Sequence, residues 1–165
     1  MPQDSVLIIG YGNSLRSDDG VGRYLAERMA ERQFSGVKVL SVHQLTPELA
    51  AEMAQVQAVI FIDAIAHTEP VITDEEASTE PPIPEIIVES LSYSAVKPAL
   101  GHSSNPEALL KLCHDLYEQS PMAWWVTVPT QNFEFGETFS EITQAAIAPA
   151  LTILEQLIKQ LTINK

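Results

Sequence analysis

A single cysteine, Cys113, stands in the 165-residue chain, so no internal disulfide and no multi-cysteine metal site can form, as expected of a protein in a reducing cytosol. Basic residues are scarce as well. Only 9 Lys and Arg face 22 Asp and Glu, a formal net charge of -13 that repels phosphate backbones and anionic bilayers. Nucleic acid and membrane surfaces are therefore not expected partners. Long hydrophobic runs are missing too: the first, Val6 to Ile9, is short, no basic region precedes it, and nothing approaches the ~18 apolar residues of a membrane span. A cytoplasmic location follows as an expectation. An H-E-x-x-H helix, a G-x-S-x-G elbow and a P-loop are all absent, which removes support for zincin, α/β-hydrolase and nucleoside-triphosphatase chemistry.

What is present is ordinary globular composition, 45% apolar and 19% charged, on a chain long enough to bury a core and short enough for one domain spanning 1–165. Val6 to Ile9, closed by Gly10, reads as a strand buried on both faces. Apolar residues at helical spacing from Val21 to about Arg32 form a first helix. Val37 to Val42 is a second strand, Pro47 opens a short helix through Ala54, and Ala58 to Ala64 is a third strand. This alternation predicts an α/β fold, a mainly parallel sheet with helices on both faces. Between Thr68 and Pro84 the composition turns to acids and prolines, the mark of a surface insertion. Ile86 to Leu91 and Ala123 to Thr127 are further strands, flanking a helix from about Pro106 to Glu118. Ser140 to Leu161 is a closing amphipathic helix, expected to be interrupted near Pro149.

Candidate chemistry concentrates at the carboxyl ends of the strands, where open α/β sheets bind ligands. The loop Gly10-Tyr11-Gly12-Asn13-Ser14-Leu15-Arg16-Ser17-Asp18-Asp19-Gly20-Val21-Gly22 joins the first strand to the first helix. It begins like a dinucleotide loop, but Leu15 occupies the third glycine position, and Asp18 and Asp19 would repel a pyrophosphate at the helix N-terminus. One aspartate of the pair is expected to cap the helix and the other to enter the cleft. Asp63, after the buried run Phe61-Ile62, is a carboxylate that needs a partner or a cation, and an adjacent parallel strand would bring it near Asp19. His102, in Gly101-His102-Ser103-Ser104, is a loop imidazole. Together two carboxylates and an imidazole suit a divalent transition metal such as zinc or nickel. His43 and His67 are alternatives to His102, whereas His114 and Cys113, on the Pro106 helix, read as structural.

The Gly10 to Gly22 loop resembles the N-terminal signature of the hydrogenase maturation endopeptidases, which cut a C-terminal extension from the large subunit of nickel-iron hydrogenases. The resemblance continues in Ile62-Asp63-Ala64, Gly101-His102 and Ile147-Ala148-Pro149-Ala150-Leu151. It implies a three-layer α/β/α sandwich around a five-stranded, mostly parallel sheet. It also implies a metal-contacting and catalytic set at Asp19, Asp63 and His102, with nickel held by the hydrogenase large-subunit precursor as partner, and no nucleotide; a monomer is the expected state. His43-Gln44-Leu45-Thr46-Pro47-Glu48-Leu49 looks like the branch serving bidirectional, NAD-linked hydrogenases. Two other readings compete: a nickel carrier that cuts nothing, and a nucleotide-binding regulator, disfavoured by Leu15 and the aspartate pair.

Overall fold

The structure, a computed structural model, describes residues 4–66, 85–93 and 105–163. Its strands form where apolar, β-branched residues run between turns. They are β1 (Val6–Tyr11), β2 (Val37–Val42), β3 (Ala58–Ala66), β4 (Ile87–Leu91) and β5 (Met122–Thr130). They make one five-stranded sheet in the order β2-β1-β3-β5-β4. β1 pairs in parallel with β2 and β3, and β3 with β5, while β4 runs antiparallel along β5. The expected mostly parallel α/β sheet is what the chain adopts. The parallel pairings require crossovers, which helices supply.

The helices are α1 (Val21–Glu31), α2 (Leu49–Met53), α3 (Pro106–Tyr117) and α4 (Glu141–Ile163). Because successive strand residues point to opposite faces, Leu7, Ile9, Val59 and Phe61 share one layer with Leu49 and Met53 of α2 and with Leu109, Leu110 and Cys113 of α3. Ile8, Ile60, Ile62 and Val126 share the other with Leu25 and Met29 of α1 and with Ala150, Leu154 and Ile158 of α4. This is the three-layer sandwich. Asn105 starts α3 by accepting the Ala108 N–H at 2.7 Å, with Pro106 in its first turn, as a polar N-cap and an N1 proline should.

The expected interruption at Pro149 does not occur: α4 runs unbroken through it. Proline removes the hydrogen bond to the carbonyl four residues earlier, here that of Ala145. Both Pro149 and Ala145 are exposed, so water can serve that carbonyl. Burial of Ala146, Ala150, Leu154 and Ile158 against the sheet outweighs the ~3 kcal/mol intrinsic cost of an interior proline. The Thr68 to Pro84 insertion lies outside the described residues.

Helix α1 sits unusually close to β1 and β3, and glycines permit it. A Cβ added at Gly10 would fall 2.2 Å from the Gly22 carbonyl oxygen and 2.5 Å from the Ala26 Cβ, and one added at Gly22 would fall 2.4 Å from the Ile62 carbonyl oxygen. No side chain fits between these backbones. Gly10→Ala should therefore cost ~3 kcal/mol or more by forcing helix and sheet apart, read as a lowered urea midpoint at unchanged slope. A midpoint equal to that of the parent protein would show that the contact is not tight.

Candidate active site

The strand order places β1 between β2 and β3, so the chain leaves β1 toward one side and the next unit begins on the other. Ligand crevices open at such switch points. The parallel ladder between β1 and β3 ends at the pair Gly10 and Ile62. The next residues along each strand are Tyr11 and Asp63, which emerge side by side where the ladder stops. β3 itself continues, paired with β5 as far as Ala66 and Thr130. Asp63 thus belongs to the body of a strand and not to its end, contrary to the expectation from sequence.

The third wall comes from the loop after β1. Ser17–Gly20 forms a single 3-10 turn ahead of α1. Gly12, at φ +145, lies so close to this turn that a Cβ there would stand 2.0 Å from the Asp19 carbonyl oxygen. The Asp19 side chain turns back to accept the Asn13 N–H through Oδ2 at 2.8 Å. It is close enough to Asp63 for its charge to act on that residue. The two carboxylates singled out in the sequence thus feel each other's charge.

Asp18 has a different task. It is fully buried, and its carboxylate accepts hydrogen bonds from the Gln131 N–H (2.9 Å), the Asn132 N–H (2.8 Å), the Ser140 N–H (2.7 Å) and the Ser140 hydroxyl (2.7 Å). Burial works against its charge, but these donors outweigh burial and hold its pKa below the ordinary carboxylate range. Neither aspartate caps α1. The N-cap is Gly20, without a side-chain bond, a correction to the capping expectation. The aspartate that does structural work reaches across to the segment between β5 and α4, and Ser140, which it grips, in turn accepts the Thr143 N–H at the start of α4.

Asp63 sits in the opposite regime. Burial is the main influence and raises its pKa from 3.8 to about 6. Tyr11 and the Ala64 N–H, which donates to Oδ1 at 2.8 Å, pull it back, and the Asp19 charge adds to the rise. Tyr11 is driven the same way, its ionisation pushed far above the ordinary phenol range by burial and by the Asp63 charge, so it remains a donor. Chemically this is a proton-accepting carboxylate poised near neutrality beside a second carboxylate and a neutral phenol. Tyr11 and the structural role of Asp18 went unseen in the sequence. The register of β1 on β3 was the signal for the first, whereas nothing local pointed to the second.

His102 and His67 lie outside the described residues. His43 is exposed beyond the end of β2. His114 stacks on Tyr93 with ring centroids 4.3 Å apart and contacts the Ser120 hydroxyl through Nδ1 at 3.1 Å, which fits a structural histidine. Cys113 is buried and its thiol pushed up by burial, which suits core packing and not nucleophilic attack. Among the described residues no group of three His, Cys, Asp or Glu side chains is arranged to hold a metal. No helix among them is long and apolar enough to cross a membrane.

No family model and no curated protein matches the chain. Solved structures do. The hydrogenase maturating endopeptidase HybD from E. coli superposes with TM-score 0.69 at 19% identity, over 94% of this chain and 93% of that one. The [NiFe] hydrogenase maturation protease HybD from Thermococcus kodakarensis gives 0.64 at 25% identity, over 93% and 98%. HycI, a [NiFe] hydrogenase maturation protease from Thermococcus kodakarensis KOD1, gives 0.65 at 19% identity, over 96% and 92%. The chain has the fold of these endopeptidases along nearly its whole length.

The environment of Asp63 sets a stability dependence on pH. A folded-state pKa of about 6 against 3.8 means that the fold prefers the protonated acid. The stabilising contribution is complete below about pH 4 and is lost as pH rises through about 6. Asp63→Asn should therefore be more stable than the parent protein near pH 8, by about 2–3 kcal/mol from the size of the shift. The difference should vanish near pH 4. Denaturant titrations at both values check this, and equal stability near pH 8 would remove the buried-acid account.

Proposed function

We propose that the chain is an endopeptidase that removes the C-terminal extension of a nickel-iron hydrogenase large-subunit precursor after nickel insertion. The observation that carries the reading is the Asp19 and Asp63 pair at the β1 to β3 switch point, in the fold of enzymes with that named activity. Asp19, Asp63 and His102 are the proposed catalytic and metal-contacting residues, and the nickel belongs to the precursor. The donor set suits such an ion. Asp19 holds its Asn13 bond through Oδ2 and Asp63 its Ala64 bond through Oδ1, which leaves one oxygen of each carboxylate without a bond to the backbone. Two half-buried carboxylates, one of which feels the charge of the other, gain from a cation what they lose by repulsion.

Asp63 is suited to accept a proton from an attacking water, because a base titrating near 6 is ionised at neutral pH yet retains proton affinity. Tyr11 keeps this carboxylate oriented. Asp19 is held by Asn13 in a fixed position, where its charge adds a smaller part to the rise in Asp63 proton affinity that burial produces. The substrate-borne nickel would polarise the site only when present, so an empty precursor would lack the mark that licenses cleavage. The segment His43 to Leu49 supports the finer reading that the partner is a bidirectional, NAD-linked hydrogenase. The single cysteine supports a cytoplasmic protein, which we take to act as a monomer.

Incubating the purified protein with precursor, with and without nickel loading, and following subunit length on a gel tests this. Shortening of the nickel-loaded precursor alone is expected. Asp19→Asn, Asp63→Asn and His102→Ala should each lower the processing rate by about a hundredfold or more while circular dichroism stays that of the parent. Nickel binding without shortening would favour the carrier reading, and normal processing by all three variants would overturn the site.

A further inference from the structure

Two large apolar side chains stand in solvent beside the candidate site, Phe135 with 90% of its surface exposed and Leu15 with 59%. They are not on loose chain. The Gly136 N–H donates to the Leu15 carbonyl at 2.9 Å, the Ser17 N–H to the Gly136 carbonyl at 2.8 Å, and the Ser17 hydroxyl to the Glu134 carbonyl at 2.8 Å. Arg16 and Gly136 form a parallel β-bridge. Asp18 fastens Gln131 and Asn132 from below. A hydrogen-bonded platform thus holds both apolar groups outward, although turning them inward would be favourable by ~1–2 kcal/mol each.

Between this platform and the Asn13 turn runs a groove of about 740 Å³, lined by Asn13, Arg16, Gln131, Asn132, Glu134 and the two phenylalanines 133 and 135. Its polar groups include donors on Asn13, Arg16 and Asn132 beside one carboxylate, Glu134. Asn13 and Asn132 use their side-chain oxygens on the Leu15 and Glu134 N–H groups, both at 3.0 Å, and their amide N–H groups make no hydrogen bond among the described residues. The Arg16 guanidinium is tied only through Nε, to the Phe133 carbonyl at 3.2 Å, and forms no ion pair among the described residues. Arg23 and Lys159 likewise lack an ion pair among the described residues, but of the three only Arg16 lines the groove. The groove also adjoins the site, since Asn13 is both its wall and the residue whose N–H holds Asp19.

We infer that this groove binds the substrate as an extended peptide beside the scissile bond. An apolar side chain lies against Leu15 and Phe135, main-chain carbonyls face the Asn13 and Asn132 amides, and a carboxylate meets Arg16. Amide and arginine donors read peptide acceptors, and an exposed aromatic on a rigid support supplies the apolar anchor. The inference rests on the endopeptidase reading for the identity of the peptide, which is the precursor segment cut by the site.

The test compares Phe135→Ser, the pair Leu15→Ser with Phe135→Ser, and Arg16→Gln against the parent protein. Leu116→Ser, an exposed apolar residue on α3, serves as the control. Two readouts are taken: steady-state processing of the nickel-loaded precursor, and binding of the same precursor to immobilised protein. Expected for Phe135→Ser and Arg16→Gln is a KM and a Kd raised about tenfold each, with kcat within about twofold and an unchanged melting temperature. Leu116→Ser should match the parent in both readouts. Parent-like KM and Kd in the double variant overturn the groove. Should the parent protein bind precursor without shortening it, the endopeptidase reading fails, and binding alone decides the groove: weaker in Phe135→Ser supports it, equal binding or none by either protein overturns it.

Discussion

The site depends on how closely α1 lies on the sheet. Gly10 and Gly22 remove the two Cβ atoms that would otherwise separate the helix from β1 and β3, and Gly12 lets the following turn fold back over the strand end. The helix register therefore determines where the Ser17–Gly20 turn falls, and through it where Asp19 is held. A glycine-rich turn after the first strand of such a sheet usually invites a phosphate. Here the space vacated by the missing side chains is filled by the protein's own backbone. The same residue types thus serve an acidic site in place of an anion-binding one.

The adjacent aspartates show how burial and hydrogen bonding divide the work of like groups. Asp18 is the more deeply buried, yet four donors make its charge favourable, and it acts as a brace between the β1 loop and the segment ahead of α4. Asp63 is half-buried with fewer donors, so its charge is unfavourable and its proton affinity rises. A fully satisfied acid stabilises the fold and offers little chemistry, whereas an under-satisfied one has proton affinity to use. The brace matters to the site because it fixes the 131–136 segment against Leu15 to Ser17, in the same turn that carries Asp19.

The sheet was legible from periodicity because its central strands are buried on both faces and read as continuous apolar runs. Val6 to Ile9 and Ala58 to Ile62 needed no turn chemistry to be recognised. The pairing of Asp19 with Asp63 was legible for a related reason, since parallel neighbours bring their carboxyl ends together. Illegible were the contacts made across more than 100 residues. Asp18 binding Ser140 depends on tertiary placement, and local capping rules assigned the wrong partner. Pro149 misled because helix propensity is a local quantity, while the burial that carries α4 through the proline comes from the sheet. Tyr11 lay between two glycines and drew no notice until the register set it beside Asp63.

The raised proton affinity of Asp63 bears on why the proposed reaction would wait for a metal-loaded substrate. Without a cation, Asp63 at neutral pH is charged at a cost, with Asp19 adding to it and only Tyr11 and one backbone N–H opposing it. A divalent ion delivered by the substrate reverses that balance, because the two carboxylates that repel each other both attract it. The affinity gained is then specific to the loaded precursor, and the apolar groove contributes a part common to loaded and unloaded forms. Discrimination between the two resides in the carboxylate pair, so weakening the groove should lower affinity for both forms alike and leave the nickel dependence in place.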